Sequence, residues 1–168
     1  MTARVLYVIA CGSRPAAELP SFISTMDSDG WDVCVVATPS ARKFFDARAL
    51  EAQTGHPVRS EYKRPEEPDV LPPPQAMVVA PATFNTINKC AAGISDTLAL
   101  GLLNEGLGLG LPIVAVPTPN AALARHPAFP ASVRFLRDAG VEVIFDPDGP
   151  SAAEVFPWDR LIGHVRTW

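Results

Sequence analysis

Short apolar runs, each closed by a polar loop and followed by a segment of helical spacing, recur along this chain. Arg4 to Ala10 (RVLYVIA), Asp32 to Ala37 (DVCVVA), Ala76 to Ala80 (AMVVA), Leu111 to Val116 (LPIVAV) and Val141 to Phe145 (VEVIF) are rich in branched residues. Such runs read as strands buried on both faces of a parallel sheet. A weaker run lies near Pro57 to Ser60. Between them, helical spacing runs through Phe22 and Met26, Arg48 to Gln53, Ile94 to Leu109, Ala128 to Ala139 and Ala152 to Val165. The alternation predicts one α/β domain over residues 1–168, a three-layer sandwich with a mostly parallel, doubly wound sheet of about six strands.

Right-handed crossovers place the strand exits of such a Rossmann-like sheet on one side, so the chemistry of the exits decides what that edge can hold. Cys11-Gly12-Ser13-Arg14 follows the first strand, Thr38-Pro39-Ser40 the second, and Ala82-Thr83-Phe84-Asn85-Thr86 the central one, which Pro81 is expected to stop. Hydroxyls, an amide and backbone N–H groups near helix starts suit a single phosphate and a flat polar ring. Pro117-Thr118-Pro119-Asn120 is a further loop on that edge. Neither GxGxxG after the first strand nor GxxxxGK[ST] occurs, which argues against a dinucleotide or a nucleoside triphosphate. From Tyr62 to Pro74 the prolines exclude helix and ladder alike, predicting a stiff extended connection. The helix from Ile94 to Leu109 is apolar on nearly every face, so it is either covered within the domain or packed on another subunit.

Composition narrows the partners. The 168 residues carry a formal charge of −4, which leaves no basic footprint for nucleic acid, and no apolar run approaches a membrane span. Met1 leads to a strand within about three residues, leaving no room for a signal peptide. Cys11, Cys34 and Cys90 form no CxxC pair, so no metal site or disulfide framework is expected and a reducing cytoplasm fits.

The segments Cys11-Gly12-Ser13, Thr38-Pro39-Ser40-Ala41 and above all Ala80-Pro81-Ala82-Thr83-Phe84-Asn85-Thr86-Ile87-Asn88-Lys89, continued by Ala92-Gly93-Ile94-Ser95-Asp96-Thr97-Leu98, resemble a known family. It is the flavoprotein family of cysteine decarboxylases, which includes phosphopantothenoylcysteine decarboxylases, lantibiotic peptidyl-cysteine decarboxylases and flavin prenyltransferases. The long block is similar to the family pattern AP-x-S-A-N-T-x-x-K…A-x-G-x-x-D-x-L. The resemblance implies FMN held between subunits of a homotrimer, or of a homododecamer built from trimers. It implies that Gly12, Ser13 and Ser40 hold the phosphate, with Arg14 and Thr38 alongside. Thr83, Phe84, Asn85 and Thr86 would meet the ribityl chain and ring edge.

The substrate half of the pattern is altered. Decarboxylases of this family carry a His just before the central strand; here that neighbourhood reads Glu66-Glu67-Pro68-Asp69-Val70. The family's PxMNxxMW motif corresponds to Pro117-Thr118-Pro119-Asn120-Ala121-Ala122-Leu123-Ala124, in which Pro117 and Asn120 remain. The cysteine-containing substrate flap has no match in Asp146 to Glu154. The catalytic candidates are therefore Asn85 and Asn120, with Glu67, Asp69 or His126 replacing the missing base. The expected function is that of a decarboxylase-like lyase or oxidoreductase on a small thiol, amino-acid-derived or peptidyl-cysteine substrate. A noncatalytic or regulatory FMN-binding subunit and a flavin prenyltransferase are the alternatives.

Overall fold

In the computed structural model, which describes residues 4–168, five parallel strands form one sheet. They are β1 (Arg4–Ala10), β2 (Trp31–Ala37), β3 (Ala76–Ala82), β4 (Ile113–Pro117) and β5 (Glu142–Val143), in the order β2-β1-β3-β4-β5. The lead from Met1 into the first strand lies outside the described residues. The sixth expected strand reduces to a single parallel bridge, Arg59 to Val36. Pro57 has no N–H to extend it.

The alternation along β1 shows how the layers form. Leu6, Val8 and Ala10 enter one core, while Val5, Tyr7 and Ile9 enter the other, as the two-residue period of a strand demands. The first core is covered by α1 (Leu19–Ser28), α2 (Ala47–Thr54) and α7 (Trp158–Val165), through Phe22, Leu50 and Leu161. The second is covered by α3 (Phe84–Ala91), α4 (Leu98–Gly108) and α6 (Ala128–Asp138), through Ile87, Leu103 and Phe129. A single-turn α5 (Ala121–Ala124) follows β4.

Several elements depart from the sequence reading: the closing helix expected from Ala152 begins at Trp158, and the last strand, expected over Val141 to Phe145, is Glu142–Val143. Pro81 does not stop the central strand: β3 runs on to Ala82, which pairs with Pro117 across an irregularity after Val79. The helix expected from Ile94 begins at Leu98, because Gly93 turns left-handed at φ 70° and Thr97 caps the new helix through Leu100 N. Only glycine adopts that φ without strain. The Lys89 ammonium pairs with Asp96 across the resulting break.

The proline-rich connection forms neither helix nor strand, as expected, but it turns at Arg64 to Glu67, where Glu67 N donates to Arg64 O at 3.0 Å, and it packs on the second core as a strap through Leu71. Tyr7 Oη donates to Pro72 O at 2.9 Å, Tyr62 Oη donates to Ser95 O at 3.3 Å, and Lys63 pairs with Asp69 at 2.9 Å. Tyr62 fits because residue 101 is glycine, where any Cβ would overlap its hydroxyl. None of the described helices is long and apolar enough to cross a membrane.

Candidate functional site

In the order β2-β1-β3-β4-β5, the chain leaves β1 toward one side of the sheet and β3 toward the other. The crevice between those two exits is where an open α/β sheet receives a ligand. Two contacts lock its walls together: Cys11 N donates to Pro81 O at 3.1 Å, and the Cys11 thiol donates to Thr86 Oγ1 at 3.4 Å. Complete burial pushes the Cys11 thiol up, so it stays protonated and serves as a donor.

Three further contacts draw the neighbouring exits in. An ideal Cβ on Gly12 would lie 3.1 Å from Ser40 Cβ, so the loops after β1 and β2 touch through a residue without a side chain. The Thr118 hydroxyl is hydrogen-bonded to Ser13 Oγ at 2.9 Å and lies 3.3 Å from Ala82 O, so it ties the exits of β1 and β3 together. Thr118 N also donates to Ala82 O at 2.8 Å.

The hydroxyl-bearing loops differ in what they do with their side chains. Thr83 caps α3 by accepting from Thr86 N, and its hydroxyl donates to Thr86 Oγ1 at 3.1 Å. Thr86 is 4% exposed and knits the crevice from inside. Ser13 and Thr38 precede short 3-10 turns without capping them, and Arg14 and Ser40 are exposed beside them. Asn85 is exposed on the first turn of α3, and its carboxamide has no hydrogen-bond partner among the described residues. The unused hydroxyls and amide face outward while the used ones build the wall.

Phe84 carries the site toward α6. Its ring stacks on Phe129 with centroids 6.1 Å apart and meets His126 edge-on at 5.6 Å. His126 Nδ1 accepts from Ala128 N at 3.1 Å, which assigns the proton of the neutral ring to Nε2. Asn120 caps α5 by accepting from Leu123 N at 2.9 Å, so its amide NH2 remains available.

The acidic candidates lie elsewhere on the chain. Asp69 lines a cavity of about 510 Å³ under the strap, with Tyr7, Arg59, Leu98, Leu102 and Glu105. That lining includes none of Ser13, Ser40, Asn85, Asn120 or His126. Glu67 is exposed and accepts from Arg64 N at 3.1 Å. Tyr7 beside this cavity is pushed up to about 12, chiefly by burial. Thr118 was not among the sequence candidates, although its signal, a hydroxyl in a strand-exit loop, is the one that singled out Ser13 and Ser40.

Fold and site together define a three-layer α/β domain that gathers hydroxyl and amide groups at the switch point of a parallel sheet. A family model described as Flavoprotein matches residues 1–168, and the chain belongs to that family. It is 30% identical over 138 residues to the coenzyme A biosynthesis bifunctional protein CoaBC of Thermococcus kodakarensis, covering 79% of this chain and 34% of that protein. It is 31% identical over 137 residues to the phosphopantothenoylcysteine decarboxylase of Mus musculus, covering 77% of this chain and 66% of that enzyme. The chain thus spans about a third of the bifunctional relative's length and just under two thirds of the mouse enzyme's.

Among solved structures, the FMN-dependent cysteine decarboxylase SpaF superimposes with a TM-score of 0.69 at 26% identity, covering 84% of this chain and 83% of that one. TvaF, an FMN-dependent cysteine decarboxylase from thioviridamide biosynthesis, shares the fold with a TM-score of 0.77 at 24% identity over 96% of this chain and 94% of its own.

Proposed function

We propose that this chain binds one FMN per subunit noncovalently and acts as a decarboxylase-like lyase on a small thiol, amino-acid-derived or peptidyl-cysteine substrate. The observation that carries this reading is the gathering of Ser13 with the exposed Ser40 and Asn85 at the switch-point crevice, where Ser13 and Thr118 are hydrogen-bonded at 2.9 Å. Support comes also from relatives named as FMN-dependent cysteine decarboxylases and as a phosphopantothenoylcysteine decarboxylase.

The donor set fits the cofactor. Ser13 and Ser40 offer hydroxyls to a phosphate, with Arg14 nearby for charge, and Gly12 keeps the two loops close enough to act together. Asn85 presents an unused carboxamide for a ring edge or ribityl hydroxyl, while Thr86 holds that turn in place. Held by these residues, FMN would supply two-electron oxidation of the thiol-bearing carbon, which would allow carbon dioxide to be lost from the substrate. The chain contributes orientation and proton handling. Asn120 offers its free NH2 to a substrate carboxylate. His126, with its proton on Nε2, is the proton carrier best placed beside the Phe84 loop.

Glu67 and Asp69 remain candidates through a different geometry. On the strap, they reach a flavin site only where a second copy presents one, which fits a homotrimer or a dodecamer of trimers. The stretch Glu66-Glu67-Pro68-Asp69-Val70, which has no histidine, favours a second reading, a noncatalytic FMN-binding subunit.

The test is an absorption spectrum of the purified protein, release and mass measurement of the cofactor, then turnover of cysteinyl substrates. FMN with turnover that His126→Gln abolishes supports the lyase with His126 as base. FMN without turnover or flavin reduction supports the noncatalytic subunit. Colourless protein that takes up no FMN on titration refutes both. Turnover unchanged in Glu67→Gln and Asp69→Asn removes the acids from the catalytic set.

A further inference from the structure

Helices α3 and α6 pack on each other over the second core. α3 begins with Phe84 and Asn85, and α6 is entered through His126, whose Nδ1 accepts from Ala128 N at 3.1 Å and so moves with that helix. The place of His126 relative to Asn85 is therefore set by how far α6 slides along α3. Phe84 and Asn88, four residues apart, share one face of α3, and Phe129 and Ser132, three apart, share one face of α6. The stack of Phe84 on Phe129, with centroids 6.1 Å apart, fixes no register by itself, because the burial of apolar area has no direction.

One contact between these helices is directional. Ser132 Oγ donates to Asn88 Oδ1 at 2.7 Å, and among the described residues it is the only hydrogen bond from α3 to α6. The other end of the same carboxamide, Asn88 Nδ2, is buried and has no hydrogen-bond partner among the described residues. A buried donor left unpaired is destabilising, and an apolar residue of similar size avoids that loss. Asn88 thus works against stability where it stands, while its directional bond selects one alignment of the helices, as a single buried asparagine does in a coiled coil. In the pattern AP-x-S-A-N-T-x-x-K, Asn88 falls at an unspecified position, so the contact belongs to this chain and not to the pattern.

We propose that Asn88 and Ser132 are positioning residues: their hydrogen bond pins α6 at one register on α3 and thereby holds the His126 imidazole edge-on to Phe84, 5.6 Å between centroids. The proposal rests on the decarboxylase-like reading for what His126 does with its proton, whereas the placement of the ring is measured without turnover.

The test combines Asn88→Leu with Ser132→Ala, which removes both polar partners together and leaves neither unpaired. This double variant should melt at or above the wild-type temperature. NMR of histidine-labelled protein, with the His126 signal assigned by its loss in His126→Gln, reads the ring's position through the ring current of Phe84. In the double variant that signal should move most of the way to its position in urea-unfolded protein, while those of His56 and His164 stay. Ser132→Thr, which keeps the hydroxyl, should leave it in place. With a cysteinyl substrate the double variant should lose kcat about tenfold or more at unchanged KM and flavin content. An unmoved His126 signal in the double variant overturns the proposal, as does a melt well below wild type, which would make the pair ordinary structural support. Wild-type protein without turnover counts against the decarboxylase-like reading alone, because the imidazole signal still decides the pin.

Discussion

Replacing Gly12 by alanine tests whether the loops after β1 and β2 act as one unit. The added carbon would lie 3.1 Å from Ser40 Cβ and 3.3 Å from Phe44 Cε2, whereas carbon atoms pack best at roughly 3.5–4.0 Å. Relief requires the Ser40 loop to retreat by several tenths of an ångström. Overpacking of this kind costs about 1–3 kcal/mol; for a surface loop the lower part of that range applies, about 1–2 kcal/mol. In a domain of this size each kcal/mol moves Tm by roughly 2–4 °C, so Gly12→Ala should melt about 2–8 °C lower. Moving Ser40 away from Ser13 should also weaken FMN about tenfold. Gly163→Ala is the matched control, since nothing lies within 4 Å of its would-be Cβ in α7. There alanine should add about 0.5–1 kcal/mol. Thermal melts and fluorescence titration with FMN read both effects. If Gly12→Ala melts and binds like wild type, the close approach is not maintained in solution and the two-loop phosphate site is wrong.

Phe129 is fully buried between Phe84 and Phe145, so Phe129→Ala should cost about 3–5 kcal/mol in urea unfolding; a loss under about 1 kcal/mol would mean that this aromatic stack contributes little. Burial pushes Cys34 up to about 12 and Cys90 up to about 11, so mass spectrometry after iodoacetamide at pH 8 should find Cys11, Cys34 and Cys90 unmodified in folded protein and labelled in urea. Asp29 is held below its ordinary 3.8, first by its hydrogen bond from Arg166. Its contribution is present above that ordinary value and lost as pH falls through the lowered one. Asp29→Asn should therefore flatten the acid limb of stability against pH, and an unchanged limb would show that the pair does not persist in solution. Asn85→Ala, which removes an exposed amide without a partner in the chain, should weaken FMN in a titration without lowering Tm; the reverse pattern would mark Asn85 as structural.

Strands and loop chemistry were legible where the signal is local. Arg4 to Ala10 was delimited by its own apolar run and is β1 to the residue. The hydroxyls of Ser13, Ser40 and Thr83 could be placed on one edge because crossover handedness leaves little choice. Errors arose where tertiary context overrode a local rule. Pro81 lies inside a strand because its ladder position is irregular, and Gly93, read within a continuous pattern, reverses the chain before α4. The division of labour among the hydroxyls was not legible. Thr83, Thr86 and Ser13 look alike in sequence, and only the hydrogen bonds show which are used inside the wall.

Both loops that flank the crevice hang from the end of one strand. Cys11 N holds Pro81 O, and Thr118 N holds Ala82 O, so the last carbonyls of β3 act as a shared bracket. Thr118 then reaches across to Ser13 and closes a ring of contacts. Displacement at any one fastening is transmitted to the others, and the edge responds to perturbation as a single stiff piece. Energies measured at Ser13, Thr86 and Thr118 should consequently fail to add, with coupling of about 0.5–3 kcal/mol in double-mutant cycles. A change confined to the β4 exit will therefore also retune the grip on whatever rests against Ser13.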